Sequence, residues 1–186
     1  LANLISLEEF KNNLRQLARP NRFRVVCCPP SIFDEDMGNT ITGDSDAFEN
    51  LIYHIKTGQI PGRNIGEHQM KFGGMTLNLP GDTTFEDLTI TVLNPMDWEF
   101  RSFFENWQSL ILDVRNNGRY YADEILKDAY VDIEQLDNEG EILVTYRYHS
   151  AYPKNISQID LSMDTNDSVE EFTVTFGFSY WERLEG

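Results

Sequence analysis

A mainly β domain with two amphipathic helices is the fold class that the sequence predicts, and three observations carry it. The last third of the chain alternates apolar and polar residues with period two, as half-buried strands do. Residues 98–114 repeat apolar side chains near the 3.6-residue helical period. The 186 residues are 40% hydrophobic and 12% aromatic, enough to bury one core. At roughly 150 residues per domain, this length predicts a single domain over 1–186.

The first element is expected to be a helix. Ser6 and Glu9 fit a capping box, and Leu7, Phe10, Leu14 and Leu17 follow on one stripe. Arg19-Pro20-Asn21 ends it, because the residue before proline is pushed out of the helical region. Arg22–Cys28 is a strand candidate, stopped by Pro29-Pro30. Residues 31–50 are acidic and rich in small polar residues, and they read as a solvated loop insertion. Asp34, Asp36 and Gly38 begin a calcium-loop spacing that the following residues do not continue. Asn50–Ile60 is a possible strand, closed by Pro61-Gly62. Ile65–Leu79 is expected to be extended, with a soft point at Gly73-Gly74, and Pro80-Gly81-Asp82 to be a turn.

Phe85–Leu93 reads as a strand with Leu88, Ile90 and Val92 on one face and Asp87, Thr89 and Thr91 on the other. The long helix follows, with Phe100, Phe103, Phe104, Trp107, Leu110, Ile111 and Val114 on its stripe and a C-cap at Asn116-Asn117-Gly118. Phe103 and Trp107 are the expected core residues, and the stripe is expected to pack on the outside of a sheet. Ala129, Val131 and Ile133 alternate with Tyr130, Asp132 and Glu134. Across the turn Asp137–Gly140, Ile142, Val144, Tyr146 and Tyr148 alternate in the same way, which is a hairpin signal. Ile156–Met163 is expected to pair with a final strand, Phe172–Trp181. These elements make a β-sandwich or barrel with a helix packed on it.

The balance of 15 Lys+Arg against 31 Asp+Glu, net −16, excludes a basic nucleic-acid binder. No apolar run reaches the ~18 residues of a spanning helix. The opening residues lack the basic and apolar blocks of a secretory signal. Cys27 and Cys28 are adjacent, which disfavours a structural disulfide and points to a reducing compartment. No further ligands surround the pair for a metal. His54, His68 and His149 are scattered, and no nucleophile elbow, P-loop or dinucleotide fingerprint occurs. The abundant carboxylates leave an acidic-site hydrolase as an alternative of another class, but abundance is not pairing. The expectation is no enzyme and no cofactor.

Several segments, in order, resemble the tail tube proteins of contractile-tailed bacteriophages. They are Ala18–Phe23, the run from Pro80 to Val92 that opens Pro-Gly-Asp-Thr-Thr-Phe-Glu-Asp, Phe104–Ser109 on the helix, Tyr152–Ile156, Phe172–Phe176 and the closing Tyr180-Trp181-Glu182. The likeness spans about Leu14 to Glu182. Residues 31–50 depart from it as an insertion, and Ser6–Phe10 is closer to the related tube initiators that seat the first ring on a baseplate.

The resemblance implies a two-sheet, barrel-like subunit with a flanking helix and an N-terminal helix. It implies hexameric rings that stack into a hollow virion tube, assembled in the host cytoplasm, through which genomic DNA passes without specific binding or a membrane. Implied partners are further copies of the chain, the baseplate hub or initiator, the sheath and a tape measure protein inside the tube. The alternatives are the initiator ring and the inner tube of a contractile injection or type VI secretion system. An acidic channel would let a polyanion slide, and the polar strand faces make Asp132, Glu134 and Asp87 the candidate channel residues. Residues 39–79 are expected to form a long loop or hairpin reaching the next ring, with Ile60, Pro61 and Gly62 as its contact residues.

Overall fold

A computed structural model of the protein describes residues 18–33, 51–112, 118, 121–164 and 168–185. The expected N-terminal helix, most of the acidic stretch 31–50 and the C-cap residues 116–117 lie outside these. The described chain forms two antiparallel four-stranded sheets. The first runs β1 (Phe23–Cys28), β6 (Tyr130–Leu136), β7 (Ile142–His149), β10 (Tyr180–Glu185). The second runs β2 (Ile55–Gly58), β5 (Leu88–Leu93), β9 (Glu171–Gly177), β8 (Tyr152–Ile156). A separate hairpin, β3 (Arg63–Phe72) and β4 (Met75–Phe85), is inserted between β2 and β5. Helix α1 spans Glu99–Ile111, and a short α2 spans Ala122–Leu126.

Alternation decides which side of each strand is buried. Val25 and Cys27 of β1, Val131 and Ile133 of β6, and Tyr148 of β7 face inward from the first sheet. Leu88, Ile90 and Val92 meet Phe176, Val174 and Phe172 side by side in the second. All of these belong to one core with Phe100, Phe103, Phe104, Trp107 and Leu110 of α1. Trp98, at φ 60°, turns the chain into α1, and Asp97 Oδ1 accepts the Glu99 N–H at 3.2 Å. The β6–β7 turn is organised in the same way. Asp137 Oδ1 accepts the N–H groups of Glu139 and Glu141 at 2.7 and 3.0 Å, and these bonds hold its carboxyl below the usual range.

The helix stripe does not pack on the outside of a sheet. Phe104 lies 6.1 and 6.0 Å from the rings of Phe172 and Phe176, on the core side of β9. The outward side of that strand carries Thr173 and Thr175, which offer an apolar stripe nothing to bury against.

Other boundaries also move. Residues 51–54 are helical, so the expected strand 50–60 shrinks to Ile55–Gly58. Pro80-Gly81-Asp82 is not a turn but lies within β4, where Gly81 and Asp82 oppose the single residue Gly66 in a bulge. Proline is tolerated there because both strands of a two-stranded ribbon are edges. The partner of β9 is Tyr152–Ile156 rather than residues 156–163. Pairing ends at Ser157, whose N–H donates to the Thr173 carbonyl at 2.8 Å.

The single expected strand Phe172–Trp181 is two strands in different sheets. The break falls at Gly177, where a Cβ would sit 2.8 Å from the Tyr152 ring. The chain turns there, and the Ser179 N–H donates to the His149 carbonyl at 3.0 Å as β10 joins the first sheet.

Burial pushes the Cys27 thiol up to about 12, with Cys28 and Asp132 adding to the shift. At pH 8 the folded subunit therefore holds almost no Cys27 thiolate. Brief treatment with iodoacetamide should leave Cys27 unmodified by mass spectrometry until the chain is denatured. Alkylation of Cys27 in the folded chain at the rate of the half-buried Cys28 would contradict this burial.

Candidate assembly surface

The hairpin β3–β4 is exposed along nearly its whole length. Its tip pairs Phe72 with Met75 across Gly73 and Gly74, at φ 57° and 81°. Two successive left-handed residues are what a tight hairpin turn demands, and glycine supplies them without strain. From that tip the register sorts the side chains. Met70 opposes Leu77 and His68 opposes Leu79, on the same face as Phe72 and Met75. Lys71 opposes Thr76, Gln69 opposes Asn78 and Glu67 opposes Pro80 on the other.

The ribbon is thus apolar on one side and polar on the other, with Phe72 and Met75 85% and 76% exposed. A row of large apolar side chains held clear of the core marks an interaction surface. The sequence carried this signal as period-two alternation on both sides of Gly73-Gly74.

Ile60, Pro61 and Gly62 sit at the root of the hairpin, not at its tip. Ile60 is exposed, Pro61 is buried, and the Gly62 carbonyl accepts the Glu86 N–H at 3.4 Å.

The outward face of the first sheet holds Asp132 and Glu134, only 5% and 9% exposed. Arg147 donates to Asp132 through two nitrogens, at 2.9 and 2.7 Å, and its guanidinium lies 4.2 Å from the centre of the Tyr130 ring. The Asp132 carboxylate raises the Arg147 pKa. Arg24 of β1 donates to Glu134 across the β1–β6 pair. His149 meets Glu182 at 2.8 Å and stacks on Tyr180 with centroids 4.6 Å apart. This face is therefore a ladder of ion pairs rather than a field of free carboxylates.

Asp87 lies beside the other sheet, at the start of β5, paired with Lys154 at 2.6 Å. The three candidate channel carboxylates thus divide between two outward faces. Further acidic residues lie off the sheets, at Asp97 and Glu99 where α1 begins, at Asp123, Glu124 and Asp128 in and after α2, and at Asp137, Glu139 and Glu141 in the β6–β7 turn.

Strand edges differ between the sheets. The first ends in β1 and β10, each six residues long with unbroken register to its neighbour. The second ends in the four-residue β2 and in β8, which contains Pro153, and both show register shifts. Short strands, proline and bulges blunt an edge against further pairing.

Among the described residues no cluster of metal-ligating side chains forms, and no helix is long and apolar enough to cross a membrane.

A family model described as phage tail tube protein matches residues 18–184. The tail tube protein of Serratia phage KSP90 is 28% identical over 174 residues, covering 91% of this chain and 92% of that protein. Tail tube protein gp19 of Enterobacteria phage T4 is 26% identical over 140 residues, covering 72% and 82%. Among solved structures, a chain of the six-fold symmetrised anti-feeding prophage baseplate superposes with TM-score 0.62 at 14% identity, covering 92% of this chain and 98% of that one. A chain of the sheath/tube terminator of the extracellular contractile injection system PVC gives 0.61 at 12% identity, covering 92% and 99%. At those identities the likeness is one of fold. The match of the family model across the described sheets, with the phage relatives beside it, places this chain in the phage tail tube protein family, as a structural, non-enzymatic component of a contractile viral tail.

Proposed function

We propose that the chain builds the inner tube of that tail: copies close into hexameric rings, the rings stack, and genomic DNA leaves through the hollow centre. The observation that carries this reading is the apolar face of β3–β4, which none of the described residues covers. A projecting element that docks on a different part of the next copy makes a heterologous contact, and repetition of that contact generates a filament. Ile60, Pro61 and Gly62 then set the direction in which the ribbon leaves the body. The sequence relatives named above belong to phages, which favours DNA over protein as cargo. Sheath, baseplate and tape measure proteins are the proposed partners.

The test is Phe72→Asp combined with Met75→Asp. Neither side chain belongs to the core, so the isolated subunit should keep its wild-type melting curve. Electron microscopy should show rings or free subunits in place of long tubes. Tubes of normal length from this variant would remove the hairpin from ring stacking. Copy number per particle separates the body of the tube from a single initiator ring.

A further inference from the structure

We infer that the channel wall is the outward face of the second sheet, and that it passes a polyanionic duplex by presenting hydroxyl groups in place of charge. This rests on the reading of the chain as a tube subunit. Two rows cross that face. Thr57, Thr91 and Thr173 lie side by side, with the Thr57 hydroxyl donating to that of Thr91 at 2.8 Å. Thr89, Thr175 and Asn155 form the next row. In a chain of net charge −16, these paired central positions carry no charge.

The nearby cations are already occupied. Lys56 is held by Glu171 at 2.5 Å, and Lys154 by Asp87 at 2.6 Å. A phosphate sliding past therefore meets neutral hydrogen-bonding groups, which hold it less tightly than charge does, and it releases no counterions by binding.

The opposite outward face is charged instead. Arg24 and Arg147 lie on it, held by Glu134 and Asp132 but each about a third exposed, Tyr180 stacks on His149, and a cavity of about 340 Å³ opens between Tyr130, Arg147, His149 and Tyr180. A guanidinium held by one carboxylate keeps further N–H groups for a phosphate, and aromatic rings stack bases. Topology points the same way. The hairpin β3–β4 prolongs the β2–β5 pair of the second sheet, so the sheet that carries the threonine rows also supplies the contact to the next ring.

The experiment places Thr89→Lys and Thr175→Lys together in tail particles, with Glu182→Lys on the opposite face as the comparison. Tail length is checked by electron microscopy, and DNA ejection is timed at low and at physiological salt. The threonine pair should slow ejection several-fold, and more at low salt, because screening of the new cations falls. Glu182→Lys should eject at the wild-type rate. Normal ejection from the threonine variant, or slowing by Glu182→Lys alone, overturns the inference while leaving the tube intact. Wild-type chain that forms neither rings nor tubes overturns the tube reading itself.

Should the lysine pair block assembly, Thr175→Cys in a Cys28→Ser background decides the matter. In stacked tubes a small maleimide should label that position, and a maleimide carrying a long polyethylene glycol chain should not. Equal labelling by both reagents places Thr175 on the outside.

Discussion

Trp107→Ala is expected to destabilise the isolated subunit by about 3–5 kcal/mol, the cost of removing a large aromatic from a packed core. The indole is fully buried, with its ring centroid 5.8 Å from that of Phe103 and 6.0 Å from that of Phe176. It therefore joins α1 to β9, and the cavity left behind would separate helix from sheet. Urea unfolding followed by circular dichroism measures the effect. Trp107→Phe should cost clearly less, for two reasons. The ring contacts largely survive, and among the described residues the buried Nε1–H has no hydrogen-bond partner to lose. An unchanged midpoint for Trp107→Ala would mean that the helix does not depend on this contact.

Arg147→Ala is the second large effect. It leaves the Asp132 carboxylate buried beneath the first sheet's outward surface without its two charge-assisted bonds. Breaking a buried pair by removing one partner costs about 3–5 kcal/mol, and the lower end applies here because the Arg147 side chain is itself about a third exposed. Removing both partners, as Asp132→Leu with Arg147→Met, should recover most of the loss, since no unpaired charge remains. Equal destabilisation by the single and double variants would show that the pair contributes packing rather than charge compensation.

Local pattern was enough for the elements whose partners are close in sequence. The β6–β7 hairpin and α1 were readable because alternation and the helical stripe lie within windows of a few turns. The residues of Phe172–Phe176 that turn inward were readable for the same reason. The corner after Gly177 was not. Nothing near it breaks the alternation, and the group that forbids a side chain there is Tyr152, brought in by the β8–β9 pairing.

The electrostatic reading ran out in a similar way. Alternation puts Asp132 and Glu134 on the outward side, as it should. Their neutralisation depends on Arg147 and Arg24, which come from strands separated from them by the β6–β7 turn and by most of the chain. Sequence spacing reports which way a carboxylate points but not which cation waits across the sheet. The hairpin was half legible. Gly73-Gly74 marked its bend, while proline and two glycines in Pro80–Asp82 and Gly66 imitated a turn where a bulge lies.

A ribbon that leaves the body in one direction makes the subunit unlike itself end for end. In the proposed tube a stack of such subunits would be polar. Every internal junction would be spanned by the hairpins of one ring and a receiving surface of the next, so the two terminal rings would be chemically different. One presents a crown of uncovered Phe72 and Met75 side chains, and the other a seat with nothing in it. Growth by addition at the two ends then proceeds by different encounters and at different rates. Such a tube would need two dissimilar closing proteins, one that resembles the seat and one that resembles the hairpin.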